Sequence, residues 1–249
     1  MRRLMMLILF ILVLAVALVA LTPLGYVLNR SGVGALGVGW AKIDGTMFEG
    51  RISGLYAGIQ PIGDVSLKLR PLSLLTLQPT YDIQWGGAAG QGTANIRLSG
   101  RALQADDIRM RHEIGSLEGL ETEVRAMGGN LDVENGAFKL TLAGCETAGG
   151  TISTNTLSTL AAQYGRQFGE IAGPIDCVDG AFDIAMIGQS DNGDQVEIDA
   201  QAGLAGNNSF ETRIQTSDGQ IIVALTQIGF VREDGKFVYR QSRSGGELR

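Results

Sequence analysis

Val65-Ser66-Leu67-Lys68-Leu69-Arg70 places an apolar side chain at every second position. Successive side chains of a strand point to opposite faces, so this stretch reads as a half-buried β-strand with one dry and one wet face. The same alternation recurs along the chain. It is seen in Tyr81, Ile83 and Trp85; in Ala94, Ile96 and Leu98; in Leu131 and Val133; and in Phe138, Leu140 and Leu142. Later it returns in Phe182, Ile184 and Met186, in Val196 and Ile198, and in Phe210, Thr212 and Ile214. Between the runs fall Gly86-Gly87, Asn135-Gly136, Asp179-Gly180, Asp191-Asn192-Gly193, Asn207-Asn208 and Asp234-Gly235. Such residues tolerate the backbone angles of tight turns. Strands joined by short turns predict an antiparallel sheet.

Composition supports that reading. Thirty-six of 249 residues are glycine, about twice ordinary usage. The glycines follow no G-X-Y period and form no Gly/Ser linker, and 45% hydrophobic content is too high for a disordered chain. The first thirty residues hold three arginines and no acid, so the remainder carries 17 basic and 26 acidic residues, a net of −9. An acidic body with four lysines is a poor match to a phosphate backbone, which argues against nucleic acid as a partner.

Three segments depart from period two. Leu157, Leu160, Ala161, Tyr164, Phe168 and Ile171 follow helical spacing. Ile221, Ile222, Leu225 and Ile228 begin just after Ser217-Asp218, a suitable helix cap. Ile114, Leu117, Leu120 and Val124 fit a short helix or a strand equally well. There is also an internal echo: the ten residues Asn135 to Gly144 resemble Asp179 to Gly188, and a looser copy starts at Asp234-Gly-Lys-Phe. A sheet grown by repeated hairpins would produce it, as would the limited vocabulary of hairpins in general. No Pro- or Ser-rich linker divides the body, so a single domain is expected from about residue 38.

At the N-terminus, Leu4 to Leu21 runs without a polar or charged side chain. As a helix it would be about 27 Å long, close to the ~30 Å hydrocarbon core of a bilayer. Arg2 and Arg3 precede it and no acid appears before Asp44, which places the N-terminus in the cytoplasm and the body across the membrane. Ala15-Val16-Ala17 offers the alternative of a cleaved signal peptide, although the apolar run continues four residues beyond it. Both readings export the body. In an oxidising compartment Cys145 and Cys177 would pair, closing a loop of about 30 residues worth about 3 kcal/mol. Two buried free thiols are the alternative.

Chemistry is sparse. Gly32-Val-Gly34-Ala-Leu-Gly37 matches G-x-G-x-x-G but follows an apolar stretch rather than a strand, so it reads as a juxtamembrane segment. His112 stands in the charged run Arg109 to Glu113, with no motif to recruit it as a base. Asp106 with Asp107, and Asp176 with Asp179, read as acidic turn residues rather than an acid–base pair. Asp191-Asn192-Gly193-Asp194 lacks the closing glutamate of a calcium loop and reads as a hairpin turn. The expectation is therefore no catalytic residue, no cofactor and no metal, with the Cys145–Cys177 pair the only site of structural chemistry.

A basic N-terminus leads into the apolar stretch and the exit Leu21-Thr22-Pro23-Leu24, and further on stands Gly45-Thr46-Met47-Phe48-Glu49-Gly50-Arg51. In this order the strings resemble the type II secretion system protein N family. The second is similar to the family's Gly-Thr-Val-Trp-x-Gly-Arg signature, with Met47 and Phe48 in place of valine and tryptophan. Arg70-Pro71-Leu72-Ser73-Leu74-Leu75 resembles its Pro-Leu-x-Leu-Leu segment. Gly128 to Gly144, the two cysteines, Asp179 to Gly188, and Leu225 to Phe230 followed by Asp234-Gly235 keep the family's order. The signature itself reads as a turn, Gly45 and Gly50 supplying conformational freedom while Phe48 packs.

The resemblance implies a mainly β protein: an N-terminal single transmembrane helix, then an elongated, twisted antiparallel β-sheet body with short helical inserts. Residues 1–30 would be the cytoplasmic tip and transmembrane anchor, and residues 31–249 the periplasmic β-rich domain. It further implies a non-enzymatic accessory component of the type II secretion system in the bacterial inner membrane. Its partners would be other inner-membrane or periplasmic subunits of that system, with the lipid bilayer held through the anchor. A second hypothesis comes from the apolar sheet face, which must be covered. Bound lipid could cover it, making the protein a periplasmic lipid-binding or lipid-transfer protein with an apolar β-sheet groove. A cleaved periplasmic hydrolase is a weaker third, since the chain shows no catalytic constellation to serve it.

Overall fold

β4 (Gln60–Leu69) contains the alternating stretch, and it pairs on both sides. In the computed structural model, described for residues 6, 7, 10, 21–30, 38–76, 78–99, 102–118, 122–126, 128–141, 143–163, 167–203 and 207–243, the chain forms two compact units, Met1–Arg97 and Leu98–Arg249. Every strand pair is antiparallel and nearly every pair is between sequence neighbours, as a chain of hairpins requires.

In the first unit, helix α1 (Leu24–Arg30) precedes β1 (Val38–Gly39), β2 (Lys42–Gly45) and β3 (Glu49–Ala57). After β4 come a 3₁₀ turn (Pro71–Thr76), β5 (Thr80–Gly87) and β6 (Gly90–Ser99). The order is β1-β3-β4-β5-β6, with β2 also on β3. Register explains the dry face. Val65 stands opposite Ile52 and Trp85, and Leu67 stands opposite Ile83. Leu24, Ile52 and Val65 are buried, with Leu28, Trp40, Ile43, Met47, Leu67, Ile83 and Trp85 packed around them. The opposite parity carries cross-strand ion pairs, among them Arg51–Asp64 at 2.8 Å.

The second unit begins with β7 (Ala102–Glu113), a short 3₁₀ turn (Ile114–Ser116) and α2 (Thr122–Ala126). It continues with β8 (Asn130–Thr141), β9 (Gly144–Thr154), α3 (Thr156–Gln163), β10 (Ile171–Val178), β11 (Ala181–Gln189) and β12 (Gln195–Gly203). β13 (Asn208–Gln215), α4 (Gly219–Gln227), β14 (Val231–Glu233) and β15 (Lys236–Arg243) complete it. The order follows the chain except that β15 lies between β13 and β14. Its core is a stripe across the strands: Val133, Ile152, Ile171, Met186 and Val196 are buried. α3 brings Leu157 onto that stripe. α4 is capped as its sequence requires, the Asp218 carboxylate accepting from the Gln220 and Ile221 amides at 2.8 and 3.2 Å.

Four expectations change. Gly86-Gly87 closes β5, paired with Gln91 and Gly90, and the turn falls on Ala88 and Ala89 instead. Asn135-Gly136 is not a turn. It lies inside β8, where the register against β7 and β9 shifts, and Asn135 has φ +51°. The strand continues through it because both neighbours keep pairing, so the dipeptide forms a bulge. The first copy of the echo therefore differs in conformation from Asp179-Gly180 and Asp234-Gly235, whose two residues all have positive φ and form hairpin turns. The helical spacing from Leu157 holds only to Gln163: Phe168 makes an isolated bridge to Ser190 and Ile171 opens β10. Ile114 to Val124 resolves into a 3₁₀ turn and α2, with Leu120 outside the described residues.

Among the described residues no helix is long and apolar enough to cross a membrane. Most of Leu4–Leu21 lies outside them, as do Arg2, Arg3, Gly32–Gly37 and Tyr164.

Candidate functional site at the signature turn

Gly45 to Arg51 forms the β2–β3 hairpin, with Gly45 paired to Gly50. The loop closes through the Thr46 amide, which donates to the Glu49 carbonyl at 2.9 Å, and the Phe48 amide, which donates to Thr46 Oγ1 at 3.3 Å. Gly45 has φ +88°, and a Cβ there would run into the Glu49 carbonyl, so both angle and space demand glycine. Gly50 is a different case. Its φ is ordinary, but a Cβ would occupy the place of Leu24 Cδ2. The second glycine of the signature is thus a socket for a side chain of α1.

The segment entering α1 adds main-chain contacts to the same hairpin. The Met47 amide donates to the Thr22 carbonyl at 3.2 Å, and Pro23 bridges to Thr46. Leu24 is 5% exposed. α1 has seven residues, far too few to be stable alone, so its helicity depends on this seat. Its outer side shows Tyr26, with the Arg30 guanidinium 5.4 Å from the ring centroid. The signature is accordingly a turn, as its residues suggest, and also the mount for residues 22–28.

The hairpin continues into the β4–β5 turn. The Leu69 amide donates to the Phe48 carbonyl and the Arg70 amide to Thr80, both at 2.8 Å. Within Pro71–Thr76 the polar groups satisfy one another: Ser73 Oγ donates to the Arg70 carbonyl at 2.6 Å and accepts from the Thr80 amide at 2.9 Å, and Thr76 Oγ1 donates to the Ser73 carbonyl at 2.8 Å. The leucines face outward, Leu72 77% and Leu75 82% exposed. Sequence alternation does not anticipate this exposure. The available signal is the lack of any charged residue between Pro71 and Tyr81.

In the second unit, Cys145 and Cys177 form a disulfide with Cα atoms 5.8 Å apart. β9 and β10 pair only from Thr151–Thr154 to Ile171–Pro174, and Pro174 has no amide proton to extend the ladder. Past that point the β8–β9 and β10–β11 hairpins are clasped by the disulfide, by the Cys145 amide donating to the Gly180 carbonyl at 2.8 Å, and by Phe138 against Phe182 edge-on at 5.7 Å.

The polar face of this unit carries a charge network. Arg213 meets Asp199 and Glu211, both at 2.7 Å, Lys236 meets Glu197 at 2.7 Å, and Arg240 bridges Glu211 and Glu233 at 2.9 and 2.8 Å. These hydrogen bonds hold Glu197, Glu211 and Glu233 below the ordinary carboxylate range, with Lys236 the main cause for Glu197 and Arg240 for the other two. In the first unit the Arg51 hydrogen bond does the same to Asp64.

The remaining candidates are dispersed. His112, near the end of β7, lies 3.3 Å from Ser116 Oγ, and burial pushes its pKa down. Asp106 accepts from Gln104 at 3.2 Å, and Asp107 sits at a bulge of β7 with φ +52°. Asp176 stands opposite Asp183 in the β10–β11 pair, while Asp179 occupies the hairpin turn. Asp194 spends its carboxylate on Ser190 Oγ at 3.0 Å, so the Asp191–Asp194 segment is a hairpin turn, as its residues suggest.

Antiparallel meanders with one apolar and one charge-laddered face, a glycine-built mount for an entering helix and a disulfide clasp define a mainly β, hairpin-built protein. The model of type II secretion system protein N matches residues 36–240, and the chain belongs to that family. Comparison with curated proteins finds no match, and comparison with solved structures finds none.

Proposed function

We propose that this protein is a non-enzymatic accessory component of the type II secretion system, held in the bacterial inner membrane by Leu4–Leu21 with its β-rich body in the periplasm. The family match over 36–240 carries this reading. Three further observations support it. Leu4–Leu21 has the length and composition of a span, and basic residues lead it. The chain leaving that stretch is gripped at Thr22, Pro23 and Leu24 by the family's signature hairpin, which would transmit anchor position to the body. The disulfide suits an oxidising compartment. Other subunits of the system are the partners, met through the anchor within the bilayer and through sheet edges or faces outside it.

A second reading has its own observation. Ile108, Met110, Leu131, Ile175, Ile184, Ile198 and Ile214 border the core stripe of the second unit and are only half-buried, which suits an acyl chain. One experiment weighs the two. Tagged full-length protein is purified from its native membrane in mild detergent, and bound proteins and lipids are identified together. Secretion subunits without stoichiometric lipid uphold the accessory component. Lipid at about one molecule per chain, without those subunits, replaces it with lipid binding.

A further inference from the structure

We propose that the Pro71–Thr76 turn is a second membrane contact, inserting Leu72 and Leu75 into the outer surface of the same bilayer that holds Leu4–Leu21. The inference rests on the anchor reading and adds a surface to it. It starts from where the apolar stretch ends. Leu21 is its last residue, and the next one, Thr22, accepts a hydrogen bond from Met47. One residue further along the hairpin, Phe48 accepts from Leu69. Two such backbone crossings, at strand spacing, separate Thr22 from Leu69 by about 10 Å. The exposed turn begins two residues later.

Its leucines therefore follow within three to six residues of Leu69, at the end of β3 and β4 where the chain leaves the apolar stretch. The opposite ends of β3 and β4 meet at Gly58-Ile59, the length of the strands away.

The chemistry of the turn fits lipid better than water. Residues 71–81 contain no charge, in a chain that is 18% charged. Insertion penalises unsatisfied backbone groups, and here Arg70, Ser73, Thr76 and Thr80 bond one another around the turn. Leu72, Leu74 and Leu75 stand out from a segment whose Ser73, Thr76 and Thr80 hydroxyls are already hydrogen-bonded. Tyr26 and Arg30 on α1 belong to the same unit and supply residue types that favour an interface. Two contacts, a helix through the bilayer and a leucine turn on it, would fix the tilt of the first unit more firmly than the anchor alone.

The test uses the full chain in phosphatidylethanolamine–phosphatidylglycerol vesicles, with an environment-sensitive fluorophore on single added cysteines. No reductant is used, so that Cys145–Cys177 stays closed. Leu72→Cys and Leu75→Cys report the turn, Ile59→Cys the far end of the same strands, and Leu12→Cys the anchor. The expected result is blue-shifted emission at 72 and 75, quenched at least twofold more by shallow than by deep spin-labelled lipid. Leu12 should be quenched by deep label and Ile59 by neither. Lipid-insensitive probes at both 72 and 75, with Leu12 quenched, overturn this proposal and leave the anchor standing. The turn contact is then excluded whether the probes report water or a covering protein. A Leu12 probe that no lipid quenches removes the anchor, and the turn contact then survives only if 72 and 75 are still quenched.

Discussion

Truncating Leu24 and filling Gly50 should each damage the first unit, yet do less harm together than their separate costs imply. Leu24 is 5% exposed and belongs to the cluster with Ile52 and Val65. Leu24→Ala removes packing at a site the surroundings can only partly refill, a loss of about 2–4 kcal/mol. Gly50→Ala introduces a Cβ where Leu24 Cδ2 sits and 3.1 Å from the Thr46 carbonyl, an overpacking cost of about 1–3 kcal/mol. In the double variant the Cδ2 atom is gone, so the larger part of the second penalty disappears. The coupling should exceed about 1 kcal/mol in the relieving direction.

Trp40 and Trp85 pack on this cluster and report its unfolding by fluorescence, with urea as denaturant and full-length protein in micelles. A cycle additive to within about 0.3 kcal/mol would mean that α1 is not seated on the signature hairpin. The mount would then be wrong, while the family membership would be untouched.

Replacing Cys145 and Cys177 by serine should lower the stability of the second unit by about 3–4 kcal/mol, from a loop of 32 residues, and reductant should do the same to the parent in denaturant melts. Glu197, Glu211 and Glu233 have folded pKa values below their unfolded ones, so their stabilisation is complete above about pH 4.5 and is lost as pH falls through the folded values. Glu211→Gln should therefore flatten the acid limb of the stability curve and reduce its salt dependence, and an unchanged limb would refute the network's role. His112 acts over a higher range. Its depressed pKa makes protonation unfavourable to the fold, so stability should rise with pH up to about 6.5, and His112→Gln should remove that rise. Gly173→Ala should cost at least about 2 kcal/mol, because its Cβ would meet the Ala185 backbone carbonyl, whereas Gly86→Ala, with open space around it, should stay within about 0.5 kcal/mol by thermal melt.

Much of the fold is legible in the chain because period two is a local signal. Val65, Leu67 and Leu69 lie on one face wherever the strand pairs, and Asp179-Gly180 and Asp234-Gly235 turn because both residues accept positive φ. The cap at Asp218 is equally local. Asn135-Gly136 shows the limit. The same residue types make a bulge there because β7 and β9 continue to pair with β8 on either side, and nothing within ten residues announces those neighbours. Phe168 and Ile171 keep helical spacing yet join Ser190 and β9, since a distant strand offers hydrogen bonds that a short helix end does not.

The candidate site divides in the same way. Gly45 is readable as a turn glycine, but Gly50 is not readable as the socket for Leu24, which lies 26 positions away and contacts it only after β2 and β3 fold back. Leucines at 72, 74 and 75 look like core residues in the sequence and stand exposed in the structure. By itself, then, the amino-acid order determined the antiparallel strands and the turns at Asp179-Gly180, Asp191–Gly193 and Asp234-Gly235, because those depend on backbone preference and side-chain alternation within a few residues, while the family is legible in short glycine strings and the cysteine pair in there being just two cysteines. Which glycine receives which side chain, where a turn becomes a bulge and which leucines stay outside were decided by tertiary structure. Those outcomes depend on the volume and hydrogen bonds that remote segments bring to the same place.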